Sequence, residues 1–167
     1  MNTKTAPDLK GLTAQILNAW RIHNRISLDL LRTIPAAGFQ AVPEGSKGRN
    51  VARQFLHMQR VRVGWLFYHE TGKRPHLPKE DSLPGRRQLR AALGKSGREI
   101  ERFLGRSLEG KARTRAFKGE PLRWMAYLIS HESHHRGQIL LALKQQGMRL
   151  PDETALRGLW GTWIWGL

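Results

Sequence analysis

Residues 121–146 read PLRWMAYLISHESHHRGQILLALKQQ, and Gly147 follows. Pro121 suits the first turn of a helix, where its missing N–H has no partner to lose. Gly147 stands where a left-handed C-terminal cap favours a residue without a β-carbon. Between them Leu128, His131, His135, Ile139 and Ala142 recur at three- and four-residue spacing, the mark of one helix face. The stretch predicts a helix from Pro121 to about Gln146 with two histidines on its inward side.

Working outward, three more segments carry the same period. Leu9, Leu12, Ile16, Trp20, His23, Ser27, Leu30 and Ile34 predict a helix over Asp8 to Ile34, ended by Pro35 and Gly38. Asn50 is the N-cap of a second helix to about Glu70, striped by Val51, Phe55, Met58, Arg62 and Trp65. Gly72, Pro75 and Pro78 break the chain, and the connector to Pro84 is long enough to cross between bundle ends. A third helix spans Gly85 to Leu108 through Leu89, Leu93, Ile100, Phe103 and Leu104, weakened by Gly94 and Gly97. Residues 109–119 are basic and aperiodic, as a loop is. Pro151 and Asp152 open a tail whose Trp160, Trp163 and Trp165 are expected to pack into the core, or else to line a pocket or a dimer interface. No alternating strand pattern occurs. The reading is an all-α four-helix bundle, one domain over 1–167, crossed by a short C-terminal helix or ordered tail.

Composition narrows the chemistry. The 167 residues include no cysteine. Disulfides, thiolate nucleophiles and zinc–thiolate sites are thereby excluded, and a reacting sulfur must arrive on a substrate. Met1 to Lys10 is polar, unlike a signal peptide, and no apolar run is long enough to span a membrane, so the cytoplasm is the expected location. The net charge of +16 attracts polyanions, nucleic acid first among them. Arg98, Arg102 and Arg106 repeat along one side of the third helix. An arginine-rich solvated surface explains the same charge, and no recognised nucleic-acid-binding module is visible.

The histidines are the most informative group. On a helix the β-carbons of His131 and His135 stand about 5–6 Å apart, so both rings can converge on one ion. Neutral imidazoles on a cation avoid both repulsion between imidazoliums and the cost of burying charge. A hydrogen-bonded pair without an ion satisfies the same spacing, and HxxxH alone leaves both readings open. A third ligand has to come from another helix. His57, beside Phe55, Leu56 and Met58, is the best candidate. His23, in the seam of the first helix, reads as a group that lines the cavity or supports the ligands, with a role as ligand the lesser alternative. His134 is turned about 100° from His135 and reads as a neighbour of the site. His69 and His76 are expected to be exposed.

The motif His131-x-x-x-His135-Arg136-Gly137-Gln138, with His57 on the second helix, resembles the DinB/YfiT-like family. Trp20-Arg21-Ile22-His23-Asn24-Arg25, Val51-Ala52-Arg53-Gln54-Phe55-Leu56-His57 and Gly158-Leu159-Trp160 match that family's style. The resemblance covers nearly the whole chain. It implies an up-down-down-up bundle, one divalent ion on His57, His131 and His135, with zinc or nickel favoured, and often a homodimer. Some relatives use a low-molecular-weight thiol, such as bacillithiol or mycothiol, as co-substrate. The tail departs from the pattern: an acidic residue is expected near tryptophans that here flank Gly161-Thr162 and Ile164.

Three functions follow as expectations. The first is a metal-dependent S-transferase acting on a small-molecule substrate, with Arg136 or another pocket arginine holding a carboxylate of the thiol. The alternative role of Arg136 is an ion pair with Glu132, four residues away. The second is a metal-dependent hydrolase, in which Glu132 is the only nearby acid and points poorly toward the ion. The third is a basic nucleic-acid-binding protein.

Overall fold

A computed structural model describes residues 8–77 and 83–166. Pro78 and residues 1–7, used in the sequence reading, lie outside the described residues. Four long helices form: α1 (Leu9–Thr33), α2 (Val51–Thr71), α3 (Arg86–Leu108) and α4 (Pro121–Gln145). Their ends are set locally. The Asp8 carboxylate accepts the Gly11 N–H at 2.7 Å, and the Asn50 side chain accepts that of Arg53 at 2.9 Å. Gly72 and Gly147 adopt φ of +72° and +70°, the left-handed conformation that stops α2 and follows α4. No strand occurs among the described residues, and none of the described helices is long and apolar enough to cross a membrane.

Cross-helix contacts fix the directions. Leu17 meets Gly105, and Leu28 meets Gly94, so α1 and α3 run antiparallel. Arg62 meets Leu93, and Glu70 meets Arg106, so α2 and α3 run parallel. Gln54–Gln138 and Arg62–Glu132 make α2 and α4 antiparallel. His23–Glu132 and Ser27–Arg136 make α1 and α4 parallel. The result is an up-down-down-up bundle. The long α2–α3 connection is what permits two neighbouring helices to point the same way.

The core has two apolar halves with a polar layer between them. One half gathers Leu30, Ile34, Phe55, Met58, Leu93 and Leu143; the other gathers Trp20, Ile100, Phe103, Leu104, Trp124 and Leu128. Between them His23, Ser27, Arg62 and Glu132 are fully buried. Arg62 donates to both Glu132 carboxylate oxygens at 2.6 Å. Its remaining nitrogen reaches Asn24 Oδ1 at 2.7 Å and the Leu93 carbonyl at 3.0 Å. One guanidinium on α2 thus ties together α4, α1 and α3. The bidentate fork suits arginine and would not suit lysine.

Gly97 does not interrupt α3 as its helix propensity suggested. A β-carbon there would lie 2.3 Å from Asn24 Oδ1, so the glycine lets α1 approach closely. Trp20 uses that approach to donate its indole N–H to the Gly97 carbonyl at 2.8 Å. Alanine would gain about 1 kcal/mol of helix propensity. It would also push Asn24 off Arg62 and overpack the seam, which costs about 1–3 kcal/mol before the lost hydrogen bond is counted. We therefore expect Gly97→Ala to lower the urea midpoint, although glycine-to-alanine in an open helix raises it.

Two expectations are corrected. His69 is 2% exposed, because the α3–α4 loop folds over the last turn of α2. The Arg115 backbone N–H donates to His69 Nδ1 at 3.1 Å, and the ring packs against Phe103 and Trp124. The tryptophans of the tail are not core residues: Trp160 is 62% exposed and Trp165 63%. The tail winds as a π-helix over Thr154–Gly161, followed by a short α5 (Thr162–Ile164), and lies against α1. The four long helices already close the core. The tail turns its small residues Gly161 and Thr162 inward and its rings outward.

Candidate metal centre

Antiparallel packing of α2 on α4 faces His57 toward His131 and His135. His131 Nε2 lies 3.3 Å from His57 Nε2 and 3.1 Å from His135 Nε2. The three candidate ligand atoms all fall within 4.8 Å of one another. Nitrogen–metal bonds of about 2.0–2.1 Å in tetrahedral array put neighbouring donors about 3.3 Å apart, so the two close separations fit one ion. The cluster could therefore hold a metal ion.

Second contacts aim the rings. The His135 Nδ1–H donates to Gln54 Oε1, which leaves the Nε2 lone pair facing the centre. Gln54 Nε2 donates to Gln138 Oε1 at 2.8 Å, and Gln138 Nε2 donates to His134 Nε2 at 2.9 Å. Gln138, the last residue of the helix motif, thus acts through Gln54 on His135. The ring of His131 stacks on Tyr127, with centroids 5.7 Å apart.

The family model of the DinB family matches residues 1–166. The chain belongs to the DinB family. No curated protein matches it.

In this DinB chain the other sequence candidates lie around the centre rather than in it. His134 is exposed and reaches the site only through Gln138. His23 is buried in the polar layer, where its Nε2–H donates to Glu132 at 2.9 Å and its Nδ1 accepts from Arg136 at 3.3 Å. Arg136 also donates to Ser27 Oγ at 3.1 Å and Ser133 Oγ at 2.7 Å. It is not the hydrogen-bonded partner of Glu132, since Arg62 holds both carboxylate oxygens. Nor does Arg136 line either opening beside His57. Burial alone would raise the pKa of Glu132, but the Arg62 charge and the bonds from Arg62 and His23 hold it well below the usual carboxylate range.

Sequence reasoning passed over Arg62, Gln54 and Arg49. Arg62 stood among apolar residues in the α2 stripe, which is the pattern of a buried charge with a partner. Gln54 lies three residues before His57 on the same helix, a spacing that faces the same side.

His57 forms a wall of two openings in the DinB bundle. One is a cavity of about 650 Å³ lined by Val61, Trp65, Tyr68, Pro75 and Leu77. The other, about 200 Å³, is lined by Arg49, Arg53, Leu56, Arg60 and Leu83.

Burial first, then the nearby charges of Arg49 and His131, push His57 down to about 4. Burial first, then His131, His57 and His134, push His135 down to about 4. His131 is lowered as well, again chiefly by burial. At neutral pH the three rings are therefore neutral, the form that binds a cation. His69 is also pushed down to about 4, by burial and then Arg115. These groups take up protons in the unfolded chain near 6.5 but resist them in the fold. The metal-free protein should therefore keep its full stability above pH 6.5 and lose it progressively as pH falls toward 4. Urea midpoints measured in chelator at pH 7.5 and pH 5 check this; a higher midpoint at pH 5 contradicts it.

Proposed function

We propose that this DinB chain is a metal-dependent S-transferase that uses a low-molecular-weight thiol, with a divalent ion on His57, His131 and His135. The observation that carries the reading is the convergence of three neutral imidazoles within 4.8 Å of one another, one of which, His57, lines two pockets. A fully structural site takes a fourth protein ligand, and none accompanies the three histidines among the described residues. Zinc or nickel suits the nitrogen donors. An ion there supplies Lewis acidity that favours the thiolate form of a bound thiol. The chain's own residues do the rest. Gln54 and Gln138 hold the ring of His135, and the aromatic pocket shields the acceptor from water.

The absence of cysteine agrees with a sulfur brought by the co-substrate. The cytoplasm, where thiols are kept reduced, is the proposed setting. A homodimer belongs to the proposal, supported by the exposed Trp160, Ile164 and Trp165 of the tail, because clustered exposed apolar residues mark interaction surfaces. Glu132 argues against the hydrolase. It is fully buried and held by Arg62, so it does not serve as a base at the centre.

To test the reading, zinc- or nickel-loaded protein is mixed with small thiols and a chromogenic aryl halide. Thiol-dependent turnover is expected in the wild type and background rate in His131→Ala. Equal turnover in the two proteins refutes the mechanism.

A further inference from the structure

The two openings beside His57 differ in character. The larger is walled mainly by Trp65 and Tyr68 with Val61, Pro75 and Leu77, and Arg60 and Arg74 also line it. Its volume of about 650 Å³ lies within the usual range of small-molecule sites. Trp65 meets Tyr68 and Tyr127 edge-on, both at 82°, and also Phe117, so neighbouring rings hold its position. The helix backbone at Gly64 also lines this pocket. A β-carbon there would stand 3.6 Å from both Leu77 and Pro75, in the space between α2 and the connector. Glycine leaves that space open.

Among the described residues, the charged groups lining the smaller opening are cations. Arg49, Arg53 and Arg60 line it, and no carboxylate among the described residues does. Arg49 and Arg53 have no ion-pair partner among the described residues, and their side chains are exposed. Two guanidiniums facing one small space repel each other unless an anion sits between them. His57 and Arg60 belong to both openings, so the two spaces meet at one of the three candidate ligands, His57.

We infer that the site takes an amphiphilic aryl carboxylate, whose flat apolar body occupies the Trp65 pocket and whose carboxylate lies in the Arg49–Arg53 pocket, bridging the two across His57. The inference rests on the proposed function in taking such a molecule as the acceptor substrate when it carries a halide that leaves as the sulfur–carbon bond forms; the plain acid serves as its binding probe. The larger opening is mainly apolar and aromatic, and the smaller one is mainly lined by guanidiniums. The aromatic walls favour a flat body, as stacking and burial of apolar area reward planar contact. The arginine forks match a carboxylate, and their charge selects against neutral analogues. Neither half alone is large: a bare carboxylate has no body to bury, and a neutral arene leaves the arginines unmatched.

Calorimetric titration of the zinc-loaded full chain with 2-naphthylacetate, the neutral 2-naphthaleneethanol and plain acetate tests this. One equivalent of 2-naphthylacetate should bind. The alcohol and acetate should each bind about tenfold or more weakly, the loss expected for a charge-assisted contact or for the buried arene. Arg49→Gln with Arg53→Gln should bring the acid to the level of the alcohol. Gly64→Leu, which fills the aromatic pocket from its helix floor, should bring it to the level of acetate. Elemental analysis of each protein should give an unchanged zinc content, and circular dichroism an unchanged helix content. Acid and alcohol binding alike, or an acid affinity unmoved by both variants, overturns the inference even when zinc is bound. Failure of zinc to bind refutes the metal reading instead, and the same titrations on metal-free protein still decide the ligand class.

Discussion

Arg62→Ala will destabilise the bundle by about 3–5 kcal/mol, because it strands a carboxylate in the core. Glu132 is fully buried, and Arg62 supplies both of its shortest contacts, at 2.6 Å. The same substitution also frees Asn24 and the Leu93 carbonyl, which lose a shared donor. The exposed pair Arg21–Glu101 is the control. Its arginine side chain is 54% exposed, and its removal should cost no more than about 1 kcal/mol. The two losses should also differ with salt. The surface pair weakens at high ionic strength, whereas the buried pair does not.

Two further observations identify the cause as an unpaired charge rather than a cavity. Arg62→Met combined with Glu132→Leu should recover most of the loss, since apolar residues of similar volume replace a buried pair at little cost. In Arg62→Ala itself, His23 is the nearest group able to neutralise Glu132, through its 2.9 Å contact. Its proton affinity should rise when Arg62 is gone. The deficit in Arg62→Ala should therefore be greater at pH 8 than at pH 6. Urea denaturation of the four proteins at both pH values measures all of this. A double variant as unstable as the single one would contradict the explanation.

Metal removal should give the second large effect. A ligand at about 1,000 times its dissociation constant stabilises the fold by about 4 kcal/mol, which for a chain of this size is a melting shift of about 10 °C. Chelator-treated protein, freed of chelator and given zinc or nickel in excess to reach that free concentration, should melt higher by that order, and His131→Ala should not respond. Gln54→Leu should show an intermediate shift, because it keeps all three rings but removes the acceptor that orients His135. A wild-type shift reproduced in His131→Ala would place the ion elsewhere on the protein.

Much of the fold was legible because it is local. Asp8, Asn50, Pro121, Gly72 and Gly147 act on backbone groups within four residues of themselves, so helix ends can be read without knowing what packs where. The same holds for His131 and His135, whose shared face follows from helical pitch alone. That His57 joins them was carried by position in an apolar stripe and by resemblance, not by any spacing along the chain. The direction of each helix was likewise implied by resemblance and is fixed physically by contacts such as Arg62–Leu93 and His23–Glu132.

What the chain alone determined is therefore the set of helices, their caps, the absence of cysteine chemistry and one histidine pair. Tertiary packing decided the rest. It chose Arg62 rather than Arg136 as the partner of Glu132, buried His69 under the α3–α4 loop and turned the tail's tryptophans outward. The reason is range: a hydrogen bond within a helix is settled by neighbours four residues away, whereas a buried charge takes its partner from whichever helix the core brings against it.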